Sequence, residues 1–366
     1  MVDHSRRCFV AKAGITGSAL VGIAGCSGQN AGGGESSPAD DSSDSPTDTE
    51  IEYPTEEISF IAPGSSGGGY DTYIRSAAPY FEEELGVSVK VENKPGGGGV
   101  LGANSAYKAD ADGYTLTMLN DVGLVAFDIA DRFSGAPTDM SHVGLLTQPP
   151  AGIAVANSLE VDSWSDLAEQ APDITWATAG QGSQPHLGLV LLGELTGAFQ
   201  SEDLNIVHYD SGADIVAGME RGEVGGSFLP LPAVMKVVLS LESVGLHSVL
   251  SDNEMVREYI EGAGVSGNLF LSDIDADNIE RVSDLTKLGR FVTGPPGVPE
   301  GILEKQKDAF ESVVNNDEFL GDLKEAKRPA FEPAVGSEVV NDRLDSIREE
   351  FTTDPLNTII KDSFGG

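Results

Sequence analysis

Residues 58–71 read ISFIAPGSSGGGYD. The short apolar run at 58–62, bounded by Pro63 and a cluster of glycines, predicts a strand that ends in a glycine-rich loop. A helical pattern follows over residues 71–85. Working outward, residues 87–91 predict a second strand, residues 94–99 a second glycine-rich loop, and a helix starts near Val100. Residues 114–120 predict a third strand. This β-α-β-α-β order implies a doubly wound α/β sheet with parallel strands. Later units repeat the scheme, with strands at 174–177, 204–207 and 225–228 and helices starting at His186, Ala213 and Pro232. Further strands are expected at 244–250 and 291–293, and residues 300–361 are mostly helical and charged. No 20–50-residue repeat is visible.

The chain has 366 residues, with 59 Asp and Glu against 22 Lys and Arg, a net charge of -37. That length suits two domains. The 40% apolar content is enough for real cores. Such charge repels phosphate backbones, so nucleic acid is excluded as a partner, and it opposes electrostatic docking on anionic lipid. The acids are spread along the whole chain. This points to a halophilic protein at home in molar salt, where the Debye length falls to about 3 Å and self-repulsion fades.

Both cysteines, Cys8 and Cys26, lie in the first 26 residues, which excludes a disulfide or a cysteine metal site in the folded part. Ser5-Arg6-Arg7-Cys8-Phe9 has the form of a twin-arginine start. A weakly apolar stretch, too short to span a bilayer, leads to Ile23-Ala24-Gly25-Cys26, which resembles a lipobox. Residues 1–25 are therefore expected to be a twin-arginine lipoprotein signal with Cys26 as the lipidated residue. Residues 26–52, rich in Gly, Ser, Asp, Pro and Thr, form a solvated tether that spans on the order of 30 Å.

Two motifs suggest enzymes. Gly64-Ser65-Ser66-Gly67-Gly68 matches the G-x-S-x-G nucleophile elbow, with His186, His208 and His247 available as bases. An elbow strand, however, belongs inside a sheet already begun upstream, and Ser66 follows the first strand. Gly97-Gly98-Gly99-Val100-Leu101-Gly102 matches the dinucleotide fingerprint G-x-G-x-x-G, with Asp121 about 20 residues on. Glu92-Asn93-Lys94-Pro95 interrupts the tight strand-to-helix turn which that fingerprint needs. No Walker motif or metal-ligand cluster stands out. The expectation is a protein that makes and breaks no bond and carries no cofactor or metal.

The same loops carry a family resemblance. ISFIAPGSSGGGYD resembles the first strand and loop of the tripartite tricarboxylate transporter receptors, the Bug-type extracytoplasmic solute-binding proteins. VKVENKPGGGGVLG (89–102), DGYTL (112–116), WATAGQGSQPHL (176–187), HYDSGA (208–213) and FVTGPPGVP (291–299) are similar to later signatures of that family, in the same order. The resemblance implies two doubly wound domains of periplasmic-binding-protein type, 53–150 plus 285–366 and 151–284, with a ligand cleft between them. It also implies a small carboxylate ligand, delivered by a monomer to the large and small membrane subunits of a transporter, at the extracytoplasmic face of the membrane. A ligand sensor for a signalling partner would use the same fold.

Loop physics agrees with that implication. Glycine lets backbone approach a ligand, and a helix start offers unpaired N–H donors with a partial positive charge. Residues 66–70 and 182–184 can thus hold carboxylate oxygens without any arginine. Candidate ligand-binding residues in the first loop are Gly64, Ser65, Ser66, Gly67, Gly68, Gly69, Tyr70 and Asp71. In the second domain they are Gln181, Gly182, Ser183, Gln184, His186, Tyr209, Ser211 and Gly212. Asp71 is also expected to N-cap the first helix and pair with Arg75; Ser183 could equally cap its helix. Asp210 and Ser211 depart from the family's Tyr-Lys-Gly-Gly-Ala loop, which disfavours a trianion if Asp210 faces the cleft.

Overall fold

The chain winds β1 (Ile58–Ala62), α1 (Gly69–Leu85), β2 (Val89–Asn93), α2 (Val100–Tyr107), β3 (Thr115–Asn120), α3 (Asp121–Ile129) and β4 (Met140–Thr147) in turn. Three residues later it enters a second sheet as β5 (Ala151–Ala156). There it continues through α4 (Trp164–Gln170), β6 (Thr175–Thr178), α5 (Gln184–Thr196), β7 (Asn205–His208), α6 (Gly212–Glu220), β8 (Gly226–Pro230), α7 (Leu231–Ser240) and β9 (Val244–Val249). Helices α8 (Glu254–Gly262) and α9 (Ile279–Thr286) lead back to the first sheet at β10 (Arg290–Pro296). The chain finishes with α10 (Glu300–Val314), α11 (Asp317–Glu325), β11 (Ala334–Val335), α12 (Ser337–Phe351) and α13 (Leu356–Ser363). This computed structural model describes residues 52–209 and 212–364. The signal, Cys26 and nearly all of the tether lie outside the described residues, as do Asp210 and Ser211.

The first sheet has the order β11-β4-β10-β3-β1-β2 and the second β7-β6-β8-β5-β9. The two-sheet α/β architecture is the expected one, but the sheets are mixed rather than purely parallel. β10 runs antiparallel to β3 and β4, and β5 runs antiparallel to β8 and β9. The reason is the crossover. β4 leaves the first sheet at its carboxyl edge, and Gln148, Pro149 and Pro150, which span at most about 10 Å, are too few to carry the chain to the far edge of the second sheet. β5 therefore arrives at the carboxyl edge of the second sheet, pointing against its neighbours. β10 does the same on the return. The amide of Leu288 donates to the Pro149 carbonyl at 3.0 Å, tying the two crossovers together.

Most element boundaries move by one to three residues from expectation. α1 starts at Gly69 rather than Asp71, and α5 at Gln184 rather than His186. β4 and β5 were not anticipated. Both are buried along almost their whole length, without the alternation that marks a half-exposed strand. Ile58, Phe60, Tyr73, Phe81 and Phe310 fill the core of the first sheet, and Trp176, Leu189 and Phe228 that of the second. A further apolar cluster spans both halves, joining Leu187 and Leu191 of α5 to Phe127 of α3 and to Leu356 and Ile360 of α13. Among the described residues, no helix is long and apolar enough to cross a membrane, and no group of three His, Cys, Asp or Glu could hold a metal ion.

His142 on β4 is fully buried beside Phe291, and neither ring nitrogen has a hydrogen-bond partner. Burial pushes its pKa down to about 4. Between pH 6.5 and about 4 the unfolded chain therefore binds a proton that the folded chain refuses, so stability falls as pH drops through this window. His142→Leu should flatten the dependence of unfolding free energy on pH there by up to about 1.4 kcal/mol per unit, one proton's worth. Denaturant titrations of both proteins from pH 7 to 4.5 check this; parallel curves would refute it.

Candidate functional site

The carboxyl edges of the two sheets carry the starts of α1, α3 and α5, where open α/β sheets bind ligands. After β1 the chain turns through residues 63–68. Gly68 donates to the Ser65 carbonyl at 3.0 Å, and Gly67 takes φ +76°. Ser65, Ser66 and Gly67 are exposed, whereas Gly64, Gly68, Gly69 and Tyr70 are half-buried. Gly68, not Asp71, is the N-cap of α1, and having no side chain it makes no capping bond. The amides of Gly69, Tyr70 and Asp71 lie in the first turn, where helix geometry supplies no acceptor.

Asp71 is instead the third residue of the helix and is buried. One carboxylate oxygen accepts from the Gly67 amide at 2.8 Å and the other from Arg75 Nε at 2.8 Å. Burial pushes this carboxyl up, but the Gly67 amide, Asn93 and Arg75 together hold it below its ordinary value. Both oxygens are used on the protein, so Asp71 fixes the loop. The i, i+4 pair with Arg75 is as expected.

The second loop of the first sheet runs Gly96 to Gly99, all with positive φ (129°, 56°, 70° and 108°). A β-carbon is strained in that backbone, which explains four glycines without a nucleotide. Tyr70 packs against both Gly64 and Gly99.

In the second sheet, β6 leads into residues 179–183. Ser183 is the N-cap of α5: its hydroxyl donates to the Gly180 carbonyl at 2.7 Å and accepts from the His186 amide at 3.5 Å. Gly182 has φ +72°, and its amide donates to His186 Nδ1 at 2.9 Å. His186 therefore acts as a neutral acceptor, and burial together with neighbouring His208 pushes its pKa down to about 4. The two rings meet edge to face at 4.8 Å, and His208 Nδ1 bonds Thr178 Oγ1 at 2.7 Å. Buried Gln184 bonds the Thr286 carbonyl at the end of α9, leaving its own Oε1 without a partner. Gln181 is exposed. Gly212 is exposed at the start of α6, and Tyr209 turns its hydroxyl against Gly218 of that helix.

The loops are linked by aromatic rings. Phe127 of α3 lies against Gly98, Phe364 against Gly182, and the two rings are 5.5 Å apart. Sequence reasoning named neither. It also missed Arg290, the first residue of β10, because the quoted late-strand motif begins one residue later. Arg290 is buried with its guanidinium against Gly69. An arginine opening an otherwise apolar strand was the available signal.

The histidines offered to the Ser66 elbow are engaged elsewhere: His186 and His208 as above, and His247 Nε2 with the Ser163 carbonyl at 3.2 Å. None bonds Ser66. A cavity of about 420 Å³ opens beside the crossovers instead, but Asp252, Glu280, Asp284 and Glu332 line it against Lys287 alone. That charge disfavours an anion.

Because the Asp71 carboxylate ties Gly67 to α1, Asp71→Ala should cost about 1.5–3 kcal/mol, the range for hydrogen bonds to a charged group. Thermal or urea unfolding measures this directly. An unchanged midpoint would show that the loop holds its shape without the carboxylate.

A model of the tripartite tricarboxylate transporter family receptor matches residues 73–258. A UPF0065 protein from the TAR-I ttuE-ttuC' intergenic region of Agrobacterium vitis is 36% identical over 137 residues, 36% of this chain and 39% of the relative. BugT of Bordetella pertussis is 29% identical over 196 residues, 51% of this chain and 59% of BugT. The chain thus aligns with well under two thirds of each of these two relatives. Among solved structures, Rpa4515 of R. palustris with adipate superposes with a TM-score of 0.64 at 21% identity, over 86% of this chain and 99% of that one. The ordered glycine loops, the two crossed sheets and the match over half its length agree: this chain belongs to the tripartite tricarboxylate transporter receptor family.

Proposed function

We propose that the chain is an extracytoplasmic solute-binding receptor that captures a small carboxylate between its sheets and delivers it to the membrane subunits of a tripartite tricarboxylate-type permease. The observation that carries this reading is the uncapped start of α1, set at the carboxyl edge that the α5 loop also borders, with the two crossovers running between. In this reading residues 53–150 plus 285–366 and residues 151–284 are the domains that close on the ligand. Amides at 66–70 and around Ser183 donate to carboxylate oxygens, since a helix start attracts anions without a net charge of its own. The adipate held by the R. palustris relative supports the ligand class. The protein works as a monomer, in molar salt, on a lipid anchor at Cys26 with residues 26–52 as its tether.

A ligand that binds only the native form, at about 100 times its dissociation constant, adds roughly 2.7 kcal/mol of stability. Melts in molar salt with acetate, succinate, malate, adipate and citrate should therefore show a clear upward shift for at least one acid. Repeated at about 0.1 M salt, where the Debye length is roughly 10 Å, the melting point should fall as carboxylate repulsion returns. No shift with any acid, together with Ser66-dependent ester turnover, would replace the receptor by a hydrolase. Unchanged melting across salt would remove the halophilic part alone.

Anchoring has its own test. Cys26→Ser should release the protein from the membrane fraction into the medium. Retention in that fraction would mean that no lipid at Cys26 holds it.

A further inference from the structure

Arg290 stands where the returning crossover enters the carboxyl edge of the first sheet, and it is 7% exposed. Its Nη2 lies 2.8 Å from the point a β-carbon would occupy at Gly69, the first residue of α1. The guanidinium carbon is 5.0 Å from the centre of the Tyr73 ring and 5.7 Å from that of Tyr70. Its Nε has no hydrogen-bond partner. Asn120, its register partner on β3, also has a buried side-chain oxygen without a partner. Arg328 adds a second charge nearby: burial, then the charge of Arg290, push its guanidinium below its ordinary value. Among the described residues, neither arginine makes an ion pair.

An unpaired buried cation is strongly unfavourable, and here the positive end of α1 aggravates it. The chain has 59 acidic residues that could have supplied a counter-charge. None of the described ones does so, which is understandable if the counter-charge arrives with a ligand. Aromatic rings close to the guanidinium leave its N–H edge to make the polar contacts. That edge and the first amides of α1 together offer a planar fork of donors, suited to the two oxygens of a carboxylate.

We propose that Arg290 is the charge-selecting residue of the cleft, pairing with a ligand carboxylate seated at the uncapped start of α1. This rests on the receptor reading and sharpens it. The glycine loops alone would accept any small acceptor group, whereas Arg290 requires a full negative charge at this end of the ligand.

The test compares wild type, Arg290→Met, Arg290→Lys and Gly69→Ala as full-length protein, dialysed free of ligand, in molar salt. Calorimetric titration uses succinate, malate, adipate and citrate, with succinamide as the uncharged control. The acid that binds wild type best should bind Arg290→Met at least about 30-fold more weakly, and Arg290→Lys should fall between. Ligand-free Arg290→Met should melt as high as wild type or higher, because an unpaired buried charge has been replaced by an apolar chain of similar length. In Gly69→Ala the new β-carbon displaces the guanidinium without removing its charge, so affinity should fall there too, even if Arg290→Met does not fold. Wild-type affinity in Arg290→Met with a lower ligand-free melting point would make Arg290 a structural residue and overturn this inference alone. If no acid binds wild type, the receptor reading falls and this inference falls with it.

Discussion

The crossovers set everything else. Because β4 passes into β5 through only three residues, the two sheets must meet carboxyl edge to carboxyl edge. β10 re-enters the first sheet at the same edge, reversed between β3 and β4. In a wound α/β sheet that edge is where helices begin, so one topological constraint brings helix N-termini, glycine loops and the connecting strands to the facing edges of the two sheets. It also explains how Arg290, more than 200 residues from the first loop in sequence, comes to lie against Gly69.

On the proposed reading a chain of charge -37 takes up an anion, which is an electrostatic contradiction. The long-range field of the protein repels its own ligand, and only short-range terms can oppose it. Molar salt screens the former to a few ångströms but hardly reaches a buried contact. The unpaired amides of α1 and the guanidinium of Arg290 both act at short range, and the guanidinium is buried. On that reading molar salt sharpens selectivity: screening weakens the general repulsion and leaves the local attraction almost intact.

Much of this was legible in the sequence, for identifiable reasons. The glycine loops were visible because positive φ leaves glycine little competition, as Gly96 to Gly99 and Gly182 illustrate. β4 and β5 were hidden because strands buried on both faces lose the alternation that reveals a strand. The start of α1 was misplaced by two residues because Gly68 caps without a side chain and Asp71, three residues on, has the chemistry of a cap. Arg290 was invisible because its meaning lies in a contact between segments far apart in sequence, which no local pattern encodes. The loops themselves contain no arginine; Arg290 reaches the first of them from a strand that enters the sheet beside it.

The polar side chains that sequence reasoning favoured as ligand contacts are largely used within the protein. Asp71 holds Gly67, the Ser183 hydroxyl bonds the Gly180 carbonyl and the His186 amide, His186 accepts from Gly182, and Tyr209 turns towards α6. The bonds of Asp71, Ser183 and His186 fix backbone at the loops and the start of α5 rather than reaching into open space. What remains free at the start of α1 is backbone N–H, which carries no information about ligand identity beyond hydrogen-bond geometry. Discrimination must then come from the few polar atoms left without partners. Arg290 Nε and the side-chain oxygens of Asn120 and Gln184 are such atoms, and all three are buried near the crossovers. Of these only Arg290 bears a charge, and a buried charge discriminates between ionised and neutral ligands far more steeply than an amide can.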